Sequence, residues 1–128
     1  MRNYKIAAAI VGSFVLGAGA ASVLAQGTAP YYEVTEIGVK DQAGYEASGV
    51  DKVREAIKAN GGKLIAGGYN KATGTEGTPP ANRFLIVMYP TKAALEKTWA
   101  DNIRPWKKEA DKYITSFRSV GVEGADHF

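Results

Sequence analysis

The residues of this chain with the most chemical reach are an arginine and a glutamate, each set in a strand-like run. Arg83 opens "RFLIVMY" and Glu36 sits within "YYEVTEIGV". A guanidinium offers a planar fork of donors, so Arg83 at the mouth of an apolar strand reads as a clamp for a carboxylate or phosphate. The plainer reading is an ion pair with Glu36, Glu33 or Glu76. Glu36 shares a strand face with Tyr32 and Val34. If that face lines a cavity, partial desolvation raises its pKa and equips it as a general base. Its competing reading is a carboxylate satisfied by Arg83 or by Arg118. Tyr32, Tyr45 and Trp99 offer the apolar walls and polar tips of a small-molecule pocket, although aromatics at strand and helix spacing are more often plain core. The ligand-binding candidates are therefore Tyr32, Glu36, Tyr45, Arg83 and Trp99, with Glu36 the candidate catalytic base.

Composition removes several other chemistries. The chain has no cysteine, which excludes thiolate zinc sites and thiol catalysis. Its one histidine, His127, is penultimate, where chain ends fray. Neither a metal nor a cofactor is expected: haem would need His127 to fold back as axial ligand, and no phosphate-cradling stretch favours flavin. Gly67-Gly68 is followed by neither a helix nor a Lys-Ser/Thr pair, so it marks a strand bulge or close backbone approach rather than a phosphate loop.

The N-terminus reads as an address. "MRNYK" carries Arg2 and Lys5, an uncharged apolar run follows through Ala21, and Val23 and Ala25 place small residues before a cut at Gln26. That is the pattern of a secretory signal peptide over residues 1–25; the alternative is an uncleaved membrane anchor. Export to the periplasm or outside the cell is expected, with no membrane attachment after cleavage. Removing the leader leaves 14 bases against 13 acids, a net charge of +1. No clustered basic patch remains for nucleic acid; "RPWKKEADK" carries its own Glu109 and Asp111 and reads as a solvated helix face.

After a short tether (residues 26–30), one domain spans residues 31–123 and a tail runs from 124 to 128. A strand over 31–39 gives way to a helix that Asp41 caps and Asn60-Gly61-Gly62 ends, with Tyr45, Gly49, Val50, Val53, Ala56 and Ile57 on its apolar stripe. "KLIAGGY" and "RFLIVMY" are strands joined by a long polar connection over 69–82, readable as a lid or as a tolerated surface loop. Thr91 caps a second helix, Pro105 opens a short third one with Trp106, Ala110 and Tyr113 on one stripe, and "YITSFRSVGVE" is the last strand.

Two strand–helix–strand units joined by a hairpin make an α+β plait of order βαββαβ, an antiparallel sheet with helices on one face. Both faces of the third strand are apolar, Leu85, Val87 and Tyr89 on one side, Phe84, Ile86 and Met88 on the other. Helices cover only one of them. A second copy packed face to face is the simplest cover for the other, so a homodimer is expected.

"YYEVTEIGVKDQAGY", "NGGKLIAGG", "EGTPPANRFLIVMYPT" and Trp99, in that order and spacing, resemble the uncharacterised bacterial family DUF 1330. Its members read approximately Tyr-x-x-x-Glu, then His-Gly-Gly and Gly-Gly, then Glu-Gly, Pro and Arg before an apolar strand ending Phe-Pro-Ser. The resemblance covers about residues 31–123 and implies a ferredoxin-like plait of the dimeric α/β-barrel superfamily. Fold relatives there include cofactor-free monooxygenases, haem-dependent enzymes and small-molecule isomerases, and fold alone does not choose among them. Asn60 stands where many relatives carry histidine, and Met88 where many carry glutamate. Three readings follow: an exported dimer that binds a small, anionic organic ligand; a cofactor-free monooxygenase- or isomerase-like enzyme with Glu36 as base; and a structural or interaction module.

Overall fold

A computed structural model describes residues 29–125. The expected signal peptide, most of the tether and His127 lie outside the described residues.

Strand β1 (Tyr31–Val39) alternates as its sequence demands. Glu33, Thr35, Ile37 and Val39 are buried beneath the helices, while Tyr32, Val34 and Glu36 point the other way. Asp41 then caps helix α1 (Gln42–Ala47), its side chain accepting the Gly44 N–H at 2.9 Å. The single helix expected up to Asn60 is in fact two. The carbonyl of Tyr45 accepts from both the Ser48 hydroxyl and the Ser48 N–H, at 2.6 and 3.2 Å, which closes α1. Gly49 follows at φ 92° and redirects the chain into α2 (Val50–Ala59). The apolar spacing survives the break because Val50 and Val53 still face the core.

Strands β2 (Lys63–Tyr69) and β3 (Arg83–Tyr89) follow. Thr91 caps α3 (Lys92–Thr98) by accepting the Ala94 N–H at 3.1 Å. A π-helical turn, Trp99–Ile103, leads into α4 (Arg104–Ala110), which has proline in its first turn, and a 3-10 turn, Asp111–Tyr113, into β4 (Ile114–Glu123). The strands lie in the order β2-β3-β1-β4, every pair antiparallel, which is the ferredoxin-like α+β plait.

The core sits between the sheet and the helices. Ile37, Val39, Tyr45, Val50 and Ile114 are buried together, with Trp106, Tyr113 and Phe117 packed against them. On the other face, Val34 stands opposite Ile86 on one side and Val120 on the other, and Tyr32 opposite Met88 and Val122. Within one chain this second face is open: Val120 is 43% exposed and Val122 51%.

The long connection between β2 and β3 is fastened at its end rather than free. The Asn82 side chain accepts the Val39 N–H at 2.8 Å and donates to the Val39 carbonyl at 2.7 Å, mimicking a strand partner. Inside β2, Gly67 lies at φ 104°, and a Cβ there would meet the Phe84 carbonyl oxygen at 1.9 Å. At Gly49 the backbone is also left-handed but nothing stands within 4 Å. Gly67→Ala is therefore expected to destabilise the fold by about 3 kcal/mol or more, and Gly49→Ala by only about 1 kcal/mol. Urea unfolding monitored by circular dichroism checks both; equal losses would show that backbone strain alone, not the Phe84 contact, sets the Gly67 requirement.

Candidate functional site

Strand parity separates the residues that sequence reasoning grouped into one pocket. Ile37 is opposite Arg83 and Glu36 opposite Phe84 in the β1–β3 ladder, so Arg83 and Glu36 emerge from opposite faces of the sheet. Tyr32 and Glu36 belong to the open face; Tyr45, Arg83 and Trp99 belong to the helix-covered one. The five candidates do not meet at one place.

Glu36 takes the second of its two expected partners. It faces Arg118 across the β1–β4 ladder, with 3.5 Å between the charged groups, and accepts the Ala81 N–H at 3.2 Å. Arg83 is held elsewhere. Its guanidinium lies 4.9 Å from the centre of the Tyr45 ring and its Nη1 lies 3.7 Å from Glu46, whereas Glu33, Glu36 and Glu76 do not pair with it. Tyr45 is buried, stacks edge-on against Trp106 at 5.7 Å, and has its hydroxyl pKa pushed up by that burial.

The carboxylate on the helix-covered face is Glu33, only 4% exposed. Its Oε2 accepts from the Trp99 indole N–H and, at 3.4 Å, from the Ser119 hydroxyl. Ser119 in turn lies 2.8 Å from the Thr35 hydroxyl, so Thr35 donates to Ser119 and Ser119 to Glu33. Burial raises the Glu33 pKa above its ordinary value, and these donors pull it only part of the way back. The Tyr89 hydroxyl, beside Glu33 and Thr98, is buried without a hydrogen bond of ordinary geometry. The same surroundings raise its pKa, burial first and the Glu33 charge second. Thr98, fully buried, accepts from the Asn60 amide at 2.8 Å and donates to the Ala94 carbonyl. Asn60 thus reaches the buried Thr98 hydroxyl from the end of α2.

Glu33 borders a cleft of about 560 Å³ between the β1–β4 edge of the sheet and the turn that joins α3 to α4. Trp99, Leu95, Arg104 and Ser119 form its walls together with the exposed Glu96, which lies 3.8 Å from Lys92, and Gly121, directly across from Glu33, contributes no side chain to fill it. The Arg104 guanidinium lies 5.6 Å from the Trp99 ring centre and is exposed, placing a cation at the rim. The π-helical turn is what brings Trp99 over the sheet and Arg104 to the same mouth. A buried acceptor, an aromatic wall and a rim carrying both Arg104 and Glu96 suit an aromatic molecule with a weakly acidic hydrogen.

Glu33 was legible only as a partner for Arg83. Its own signal was parity: Thr35, Ile37 and Val39 form the apolar side of β1, and two residues back on that side stands a glutamate. Ser119, Thr98 and Arg104 had no such signal, since their roles depend on which elements the plait brings together. Among the described residues, no group of three His, Cys, Asp or Glu side chains can hold a metal ion, and no helix is long and apolar enough to cross a membrane.

An antiparallel plait with a one-sided helix layer and a cleft at their junction defines a ferredoxin-like α+β domain. Residues 30–124 match the model of a domain of unknown function, DUF1330, and the chain belongs to that family. Its fold is similar to that of RPA0582, a protein of unknown function from Rhodopseudomonas palustris (15% identity, TM-score 0.60, 78% of this chain and 85% of that one). It is also similar to a protein of Caulobacter crescentus CB15 provisionally named an antibiotic biosynthesis monooxygenase (14% identity, TM-score 0.55, 77% and 92%). A Lactobacillus acidophilus NCFM protein provisionally named a monooxygenase follows at 16% identity and TM-score 0.51, with 73% of this chain and 43% of that one covered. No curated protein matches the sequence.

Proposed function

We propose that this protein is exported, pairs with a second copy through the open face of its sheet, and binds a small organic molecule in the cleft beside Glu33. The observation that carries the ligand reading is Glu33 itself. A carboxylate buried on the apolar side of a strand is costly, and this one has two donors on one oxygen and borders a cleft of ligand size. Trp99 and Leu95 give the ligand an apolar wall, and Arg104 and Glu96 put one charge of each sign at the rim. Export rests on the N-terminal sequence pattern, and pairing on the apolar residues of the open face.

The direct test is a thermal-shift screen of small phenols and aromatic carboxylic acids. Compounds that stabilise the protein are then titrated against tryptophan emission in a Trp106→Phe background, which leaves Trp99 as the reporter. A true site ligand changes the Trp99 emission, and Glu33→Gln weakens it about tenfold by removing the charge-assisted acceptor. Binding that leaves Trp99 emission unchanged and survives Glu33→Gln would refute the reading.

The raised pKa of Glu33 favours a second reading, in which Glu33 rather than Glu36 acts as general base. The carboxylate would take a proton from an activated C–H or O–H of the bound molecule and leave the anion in the cleft. The monooxygenase names of similarly folded proteins accord with such a first step but assign it no residue. Exchange of an activated C–H of a bound ligand in deuterated water, fast in the native protein and lost in Glu33→Gln, separates catalysis from binding alone.

A further inference from the structure

A second concave surface lies at the other edge of the sheet. A groove of about 400 Å³ separates α2 from β2 and β3, and Ile57, Leu64, Leu85 and Val87 make its apolar lining. Arg54, Lys58, Lys63 and Arg83 border the same groove, and no carboxylate does. Arg54 is already neutralised, since it contacts Glu46 and Asp51 at 2.9 and 2.8 Å. Lys58 and Lys63 are exposed and form no ion pair among the described residues.

Arg83 is the least satisfied of the four. Its side chain is only 11% exposed, Glu46 stands 3.7 Å from Nη1, and Nε is buried with no hydrogen-bond partner. Nε and Nη2 share the edge of the guanidinium that grips a carboxylate with two parallel bonds. Arg83 also borders a void of about 60 Å³ inside the helix–sheet layer, one that touches Glu33 at its far side. The arginine therefore stands between the groove and the interior, short of an acceptor.

We propose that this groove binds the carboxylate of a small anionic amphiphile, such as a medium-chain or alkyl-aryl acid. The head group lies against Arg83 with Lys58 as the second cation of the groove, and the apolar body runs over Ile57 and Leu85 toward Leu64. Charge complementarity selects an anion, and the apolar lining selects one with a hydrocarbon body. A free acid fits better than a membrane surface, because α2 and β2 wall the groove and Arg83 lies too deep for a flat bilayer to reach. The site stands apart from the Glu33 cleft and does not rest on the function proposed for it.

The test is a titration of the full chain with octanoate, octanol and acetate, followed by backbone and arginine side-chain NMR. Octanoate is expected to saturate, with shifts centred on Ile57, Leu64, Leu85 and the Arg83 Nε–H. Octanol, which lacks the charge, and acetate, which lacks the chain, should bind about tenfold more weakly or less. Lys58→Glu changes an exposed residue, so the fold should survive while octanoate affinity falls about tenfold. Glu33→Gln should leave octanoate binding unchanged. The proposal fails if octanol binds as well as octanoate, if the shifts centre on Trp99 or the open sheet face, or if the Lys58 charge reversal has no effect. It also fails if the chain ignores octanoate but sediments with phosphatidylglycerol vesicles, which would make the cations a lipid-facing surface.

Discussion

Glu33→Gln is expected to make the protein more stable at neutral pH while it weakens the ligand. The side chains are nearly the same size, and the amide oxygen of glutamine can still accept from Trp99 and Ser119. What disappears is a charge buried to 4% exposure, so the gain should be about 1–2 kcal/mol at pH 7. The sign follows from proton binding. The folded-state pKa of Glu33 is raised above 4.5, so near that pH the folded chain holds a proton that the unfolded chain releases. This stabilisation is complete below pH 4.5 and is lost as pH rises through the raised folded value. Wild type minus variant, followed by urea unfolding between pH 4 and 8, should therefore slope downward with pH. A flat difference would mean that Glu33 is ionised as readily in the fold as in water, and the general-base reading would go with it. A stabilising change that costs binding is the behaviour of a site kept for function rather than for folding.

Val34→Lys is expected to abolish the pairing proposed for the open face. Val34 is central on the open face, opposite both Ile86 and Val120. In the free chain a lysine here meets only water, so the sheet should keep its structure. In a face-to-face pair two such lysines would meet across the axis without a counter-charge, at a cost of about 3 kcal/mol or more, roughly 100-fold in dissociation constant. Light scattering coupled to gel filtration reads the result directly. If the native chain already runs at the mass of a single copy at micromolar concentration, the open face is not a dimer surface.

The succession of strands along the chain and the starts of α1, α3 and α4 were legible in the sequence, because each depends on neighbours within a few residues. Asp41 and Thr91 cap the helices from the places their spacing indicates, and proline opens α4. The break at Gly49 was hidden by an apolar spacing that continues across it; only the left-handed backbone reveals the turn. The candidate site was less legible for a different reason. Glu36 and Arg83 attract notice as charges inside apolar strands, yet register sends them to opposite faces, and register is a property of two strands together. Glu33 becomes conspicuous once β1 is read by parity, but Ser119 and Trp99 reach it from 86 and 66 residues away along the chain. No spacing rule spans such distances.

The slip of register in β2 bears on whether this edge of the sheet can recruit other chains. Leu64 and Ile65, 53% and 46% exposed, occupy an outermost strand, a combination that invites other chains to add on and grow into fibrils. Between Leu64 and Ala66 the ladder loses step, so Ile65 has no opposite number and the strand bends. Gly67 and Gly68 continue the irregularity toward its end, both at positive φ. A newcomer aligning on that rim would find its donors and acceptors out of phase within a few residues, and Lys63 would set like charges side by side at the start of every added layer.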